Sequence, residues 1–207
     1  MKEKKSFTES SIYPIIFMII LTIFFVGILA TFYHTTKAKV DSHRRTNFQK
    51  ALVALFDFPT DNPTASFDKY FIQKDKKDIR YYQAVKDSTL LGYAFEISGN
   101  GLWGTIKAII AVTPDFSRIV NIEILDQNET PGLGGRITED WFKKQFQNKP
   151  LVFDKKFKKY KLVAEDAKPN DFEIVQITGA TFSSKAVVNI IYEKVKETSL
   201  KLGFDYE

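Results

Sequence analysis

Apolar and polar positions divide this chain into two regimes. Ile12 to Tyr33 contains no charged residue and reads IYPIIFMIILTIFFVGILATFY. At about 1.5 Å per residue, such a helix reaches about 33 Å, enough for a hydrocarbon core of about 30 Å. Pro14 falls in the first turn, where a missing N–H costs little. Tyr13 and Tyr33 stand where interfacial aromatics are expected. A cleaved leader would have a shorter apolar run and small residues at the cut. Here bulky Phe32-Tyr33-His34 follow, which favours an uncleaved anchor. Lys2, Lys4 and Lys5 precede the run, and Lys37, Lys39, Arg44 and Arg45 follow it, so flanking charge does not decide the orientation.

After the anchor the pattern becomes mixed. Residues 34–57 predict a helix with Ala38, Val40, Phe48, Ala51, Leu52 and Leu55 on one side, stopped by Asp57-Phe58-Pro59-Thr60-Asp61-Asn62-Pro63. Residues 64–89 read as polar and irregular, with short strands near 70–72 and 81–83. Residues 90–97 alternate as a strand, Gly99, Gly101 and Gly104 make a turn, and 105–112 and 119–125 are further strands, an antiparallel meander. A loop at 126–136 precedes a short helix around Trp141, Phe142 and Phe146. Extended segments follow at 151–154, at 161–163 (pairing with the sheet) and at 173–177. A final helix runs from about Ser183 to Leu202, with Val187, Ile190, Ile191 and Val195 at helical spacing. The expected fold is α+β: a single N-terminal transmembrane helix, then an antiparallel sheet with helices packed to one side. The expected boundaries are a tail at 1–11, the transmembrane helix at 12–33, a juxtamembrane helix and linker at 34–63, and a folded domain at 64–207.

Composition narrows the chemistry. The 207 residues include no cysteine. That excludes thiolate-held iron–sulfur clusters and zinc, thioether-linked haem and disulfides within the chain. Two histidines, His34 and His43, lie just past the apolar run, which argues against a His-based metal or haem site in the domain. An electron carrier here would need an organic cofactor. The formal charge is +5, with basic runs at Lys143-Lys144 and from Lys155 to Lys161. Beside a membrane anchor these read as a solvated or lipid-facing surface, not a nucleic-acid interface.

The segment carrying most chemistry is Thr178-Gly179-Ala180-Thr181-Phe182-Ser183-Ser184, at the start of the last helix. First-turn N–H groups lack helical partners and favour an anion such as phosphate. Gly179 lets the backbone approach closely and take a positive φ. A plain alternative stays open, with Ser183 or Ser184 simply the N-cap.

Three segments together resemble the FMN-binding domain family. Thr178 to Ser184 is similar to its flavinylation motif. Gly99-Asn100-Gly101-Leu102-Trp103-Gly104 is similar to its G-x-G-L-W element, and Glu129-Thr130-Pro131-Gly132-Leu133-Gly134-Gly135 to its E-T-P-G-L-G loop. The family includes membrane-anchored flavoproteins of the Rnf electron transport complex (RnfG) and of the sodium-translocating NADH:quinone reductase (NqrC). The resemblance implies FMN joined through a phosphoester to the Thr181 hydroxyl, installed by a flavin transferase using FAD. It places Thr178, Gly179, Ala180 and Ser184 around that link, and Trp103, Glu129, Thr130, Gly132 and Leu133 against the ring. It implies neighbouring membrane subunits of a redox-driven ion pump, an N-terminus in the cytoplasm, and the domain on the periplasmic or extracellular side. The motif departs from the family at one place: Val175 stands where an Asp is common. Read from residues alone, Trp103 is equally a core residue, and Glu129 a general acid/base or a structural acceptor for loop N–H groups. A different class also stays open, an anchored extracellular binding domain with no redox role.

Overall fold

The computed structural model describes residues 12–204 and Tyr206. The tail at 1–11, with Lys2, Lys4 and Lys5, lies outside the described residues. The chain divides into two compact units after Arg45.

In the first unit, helix α1 (Tyr13–Leu55) begins one residue into the apolar run and continues past it into the second unit. Its apolar stretch has a mean hydropathy of 2.9 and is not buried by protein. It is long and apolar enough to cross a membrane. Thr22, Thr31, Thr35 and Thr36 turn their hydroxyls back to carbonyls three or four residues earlier, so their polarity is met within the helix. Val40, expected on the apolar side, is exposed.

The second unit, Thr46–Glu207, takes in residues 46–63. Its centre is a five-stranded antiparallel sheet in meander order: β1 (Phe71–Lys76), β2 (Ile79–Lys86), β3 (Thr89–Asn100), β4 (Thr105–Val112) and β5 (Ile119–Asp126). Alternation assigns the strand side chains to two faces. Phe95, Ile97, Ile106, Ile110 and Ile122 face a core completed by Phe142, Phe146, Val187, Ile190 and Ile191. Ala94, Ile109 and Ala111 face a second core made with Leu52, Val53, Leu55, Phe58 and Phe71. Helices therefore cover both faces of the sheet, not one as expected. The reason lies in residues 51–58, whose apolar side chains need burial worth roughly 1.5–3 kcal/mol each.

The stretch 64–89 is also more regular than its polarity suggests. Asn62 caps α2 (Pro63–Tyr70) by accepting the Ala65 N–H, with Pro63 in the first turn. Strands β1 and β2 then form a hairpin through Lys77-Asp78, and β2 and β3 through Asp87-Ser88. All four turn residues have positive φ, between 48° and 64°. That is the two-residue hairpin geometry whose twist matches the strands, here without glycine. Asp154-Lys155 repeats it between β6 (Val152–Phe153) and β7 (Lys156–Phe157).

Residues 161–163 do not join the main sheet. Strand β8 (Lys161–Val163) pairs in parallel with β9 (Glu173–Val175), which is shorter than the expected 173–177. Gly99 lies inside β3, opposite Ile106, so the turn begins at Gly101. A Cβ at Gly99 would stand 2.6 Å from Ile190 Cγ1, which shows how closely the last helix packs on β3. Between β5 and β6 come a 3-10 helix (Gly134–Thr138) and α3 (Asp140–Lys144), and α4 (Thr181–Leu202) closes the domain.

Candidate functional site

Three connections come together: the β3–β4 turn at 101–104, the loop 127–133 after β5, and the turn 176–180 before α4. In the first, the Gly101 N–H donates to the Gly104 carbonyl at 2.7 Å. In the second, the Thr130 carbonyl accepts from the Leu133 N–H at 3.1 Å and the Gly135 N–H at 3.0 Å, with Gly132 at φ 75°. In the third, the Ala180 N–H donates to the Ile177 carbonyl at 2.9 Å, with Gly179 at φ 78°. That conformation costs an L-residue about 1–2 kcal/mol.

Glu129 ties the second connection to the first and to the start of α4. It is 4% exposed. Its Oε1 accepts the Leu102 N–H at 2.8 Å and the Trp103 N–H at 3.1 Å, while Oε2 accepts the Ser183 hydroxyl. A Cβ at Gly101 would lie 2.4 Å from Oε1, and one at Gly134 2.8 Å from Oε2. Both positions therefore suit a residue without a side chain.

Helix α4 starts at Thr181, two residues earlier than spacing suggested. Ala180 is its N-cap, and no side chain caps this end. Ser183 and Ser184 are thus not N-caps. Both lie buried within the first turn. The Ser184 hydroxyl accepts from the Ile177 N–H at 3.0 Å and donates to the Ala180 carbonyl at 3.1 Å, so it fastens the turn internally. Thr178 is exposed and donates its hydroxyl to Glu165. Thr181 is exposed as well.

Large apolar side chains around these segments face outward. Trp103 and Phe182 are each 71% exposed, Leu102 54% and Leu133 45%. Trp103 is therefore not a core residue. Leu133 reaches over the third turn: a Cβ at Gly179 would stand 3.2 Å from its Cδ2. Leu102 and Phe182 were not singled out from sequence, and Ser183 was read there only as a helix N-cap. The available signal for the first two was a bulky apolar residue inside a turn and another at an exposed helix start. Beside the loop, Arg136 hydrogen-bonds Glu139 through Nε at 3.1 Å, and Trp141 Nε1 donates to the same carboxylate. These bonds, Arg136 first, hold the Glu139 carboxyl below its ordinary value. A cavity of about 650 Å³ lined by Lys158, Lys159, Lys161 and Phe172, among others, contains none of the site residues.

The arrangement presents a hydroxyl on an uncapped helix end beside exposed apolar surface. It suits a group with a phosphate at one end and a flat apolar ring at the other.

Comparison with known proteins agrees. Residues 101–196 match the model of the FMN-binding domain. The chain is 29% identical over 195 residues to the G-subunit of the proton-translocating ferredoxin:NAD(+) oxidoreductase complex of Clostridium ljungdahlii, covering 94% of this chain and 96% of that one. It is 27% identical to the G-subunit of the ion-translocating oxidoreductase complex of Methanosarcina acetivorans, covering 98% and 100%. In fold it is similar to the crystal structure of NqrC from Shewanella oneidensis, with a TM-score of 0.65, 18% identity, and coverage of 75% of this chain and 99% of that one. The matched segment holds the β3–β4 turn, the 127–133 loop and the start of α4, so the site lies within the part of the chain that is similar to the FMN-binding domain.

Proposed function

We propose that this chain is the membrane-anchored flavoprotein of an ion-translocating electron transport complex of the Rnf type, with FMN esterified to Thr181. The observation carrying this reading is the exposed Thr181 at the uncapped first residue of a 22-residue helix, set among exposed Trp103, Leu133, Leu102 and Phe182. The near-complete span of the two G-subunit relatives supports the Rnf type. The C-subunit of the Na(+)-translocating NADH-quinone reductase of Yersinia pestis aligns over 45% of its own length.

In maturation, the Thr181 oxygen bonds to the flavin-side phosphorus of FAD as the pyrophosphate link breaks and AMP leaves. A flavin transferase carries out that step. The free N–H groups of the first α4 turn and the helix dipole stabilise the phosphate. Gly179 and Ala180 keep the approach open, Ser184 holds the turn in shape, and Thr178 lies exposed on it beside the link. Trp103 and Leu133, with Thr130 and Gly132 on the same loop, bound the ring and exclude water. FMN, when bound, takes up and gives back electrons, which lets this chain relay them between other subunits. Helix α1 holds the domain at the cytoplasmic membrane as a single-pass protein, on the periplasmic or extracellular side. Its basic residues meet lipid headgroups, not nucleic acid.

The test is intact mass after co-expression with a flavin transferase. The native chain gains one FMN residue, and Thr181→Ala gains none while keeping its far-UV circular dichroism. A native chain of bare polypeptide mass, or a Thr181→Ala chain that still carries the adduct, refutes the proposal.

A further inference from the structure

We propose that Glu129 is a positioning residue whose buried negative charge lowers the reduction potential of the flavin at this site. The inference rests on the reading just given, that FMN is held at Thr181.

The carboxylate is held in a manner that packing alone does not require. It is nearly inaccessible and accepts from three donors on two other segments: the Leu102 and Trp103 N–H groups, and the Ser183 hydroxyl. Gly101 and Gly134 leave room for its two oxygens. A burial of this kind is costly unless the charge is stabilised. Among the described residues, the stabilisation comes from dipoles alone, since none of the ion pairs includes Glu129. The carboxylate is thus met by hydrogen-bond donors and not by a counter-ion, in a setting of low local dielectric. One oxygen sits on the backbone of Trp103 and the other on the first turn of α4, two residues beyond Thr181. A ring held by Trp103 and Leu133 would share its turn and loop with a carboxylate that no cation pairs. Reduction adds negative charge to that ring, and a fixed anion beside it opposes the addition. The same bonds hold the Trp103 turn against the helix that presents Thr181, so geometry and charge are set by one side chain.

Two substitutions separate the charge from the scaffold. Glu129→Gln keeps the shape and an acceptor for the Leu102 and Trp103 N–H groups, while Ser183 can accept from its amide. Ser183→Ala keeps the charge and removes one of its three donors. Full-length native, Glu129→Gln and Ser183→Ala chains are co-expressed with a flavin transferase and purified in detergent. Each is weighed for the FMN adduct and titrated with dithionite against mediator dyes, following flavin absorbance. Glu129→Gln shifts the midpoint potential to more positive values, and Ser183→Ala shifts it to more negative values. Loaded Glu129→Gln protein titrating with the native chain overturns the inference and leaves the Thr181 reading intact. Where Glu129→Gln gives no folded, loaded protein, Ser183→Ala decides alone: an unchanged or positive shift overturns it. A native chain without the adduct overturns both.

Discussion

Replacing Ser184 by alanine should destabilise the domain measurably, although nothing at the surface changes. The residue is 0% exposed, and its hydroxyl is the acceptor for the Ile177 N–H at 3.0 Å. Ile177 is itself fully buried, so water does not replace the lost partner. Leaving such a donor unmet costs about 1–3 kcal/mol. On the other side the loss is smaller, because the Ala180 carbonyl keeps the Ser184 N–H at 3.1 Å. Alanine's better helix propensity returns about 0.5 kcal/mol. The net loss is then about 0.5–2.5 kcal/mol, and in a unit of this size each kcal/mol lowers Tm by roughly 2–4 °C. The assay is thermal unfolding of the full chain in detergent, followed by near-UV circular dichroism of the domain's aromatic residues. Thr178→Ala is the control, because its hydroxyl bond to Glu165 is exposed and such a change usually stays within about 0.5 kcal/mol. If Ser184→Ala melts together with Thr178→Ala, the turn is not held by this hydroxyl and the reasoning fails.

Other substitutions probe other levels of the structure. Leu52→Ala should cost about 2–5 kcal/mol in a urea titration, because Leu52 is fully buried on the second sheet face; a loss well below that range would detach residues 46–58 from the fold. Gly132→Ala meets no atom within 4 Å but sits at φ 75°, so it should lose about 1–2 kcal/mol from strain alone. At Gly134 an added Cβ would meet the Ser183 hydroxyl at 2.3 Å and Glu129 Oε2 at 2.8 Å, so Gly134→Ala should cost about 1–3 kcal/mol from overpacking and part the Glu129–Ser183 contact; a Gly134→Ala chain that melts with the native one would contradict this. Burial pushes the Tyr160 hydroxyl well above its ordinary value, and the group donates to the Pro150 carbonyl at 2.9 Å. The unfolded chain releases that proton near pH 10 and the folded chain does not, so stability present below pH 10 falls above it by up to about 1.4 kcal/mol per pH unit. Tyr160→Phe should flatten that alkaline limb in urea titrations between about pH 9 and 11.5, and an unchanged slope would argue against it.

Much of the sheet was legible because β3, β4 and β5 carry long apolar or alternating runs. Of β1 only the start near 70–72 was, since Phe71 alone of its six residues is buried and the rest leaves no alternation to read. Its hairpin and the next were hidden too, because Lys77-Asp78 and Asp87-Ser88 adopt left-handed turns without the usual glycine or asparagine. The parallel β8–β9 pair depends on a register between residues 12 apart, which neither segment's composition announces. At the site, three motifs marked the right segments. Which hydroxyl caps, which faces out and which is buried could not be read from them. Ser183 looked like a local cap, yet its partner is Glu129, 54 residues earlier in the chain. Glu129 in turn looked like an isolated carboxylate before a turn, and its place was fixed only when β3, β5 and α4 met. The outward aromatic faces of Trp103 and Phe182 are likewise products of that meeting.

One of the sheet's two outermost strands, β1, has a bearing on how this protein behaves at close quarters. β1 pairs on one side only, with β2. A bare strand margin invites another copy to add on, and tethering to a two-dimensional surface brings copies together. Here that margin runs Gln73-Lys74-Asp75-Lys76, all outward-facing and mostly charged. Stacking two copies along this edge would force these ions out of water, so this margin resists edge-to-edge pairing when copies crowd along the bilayer.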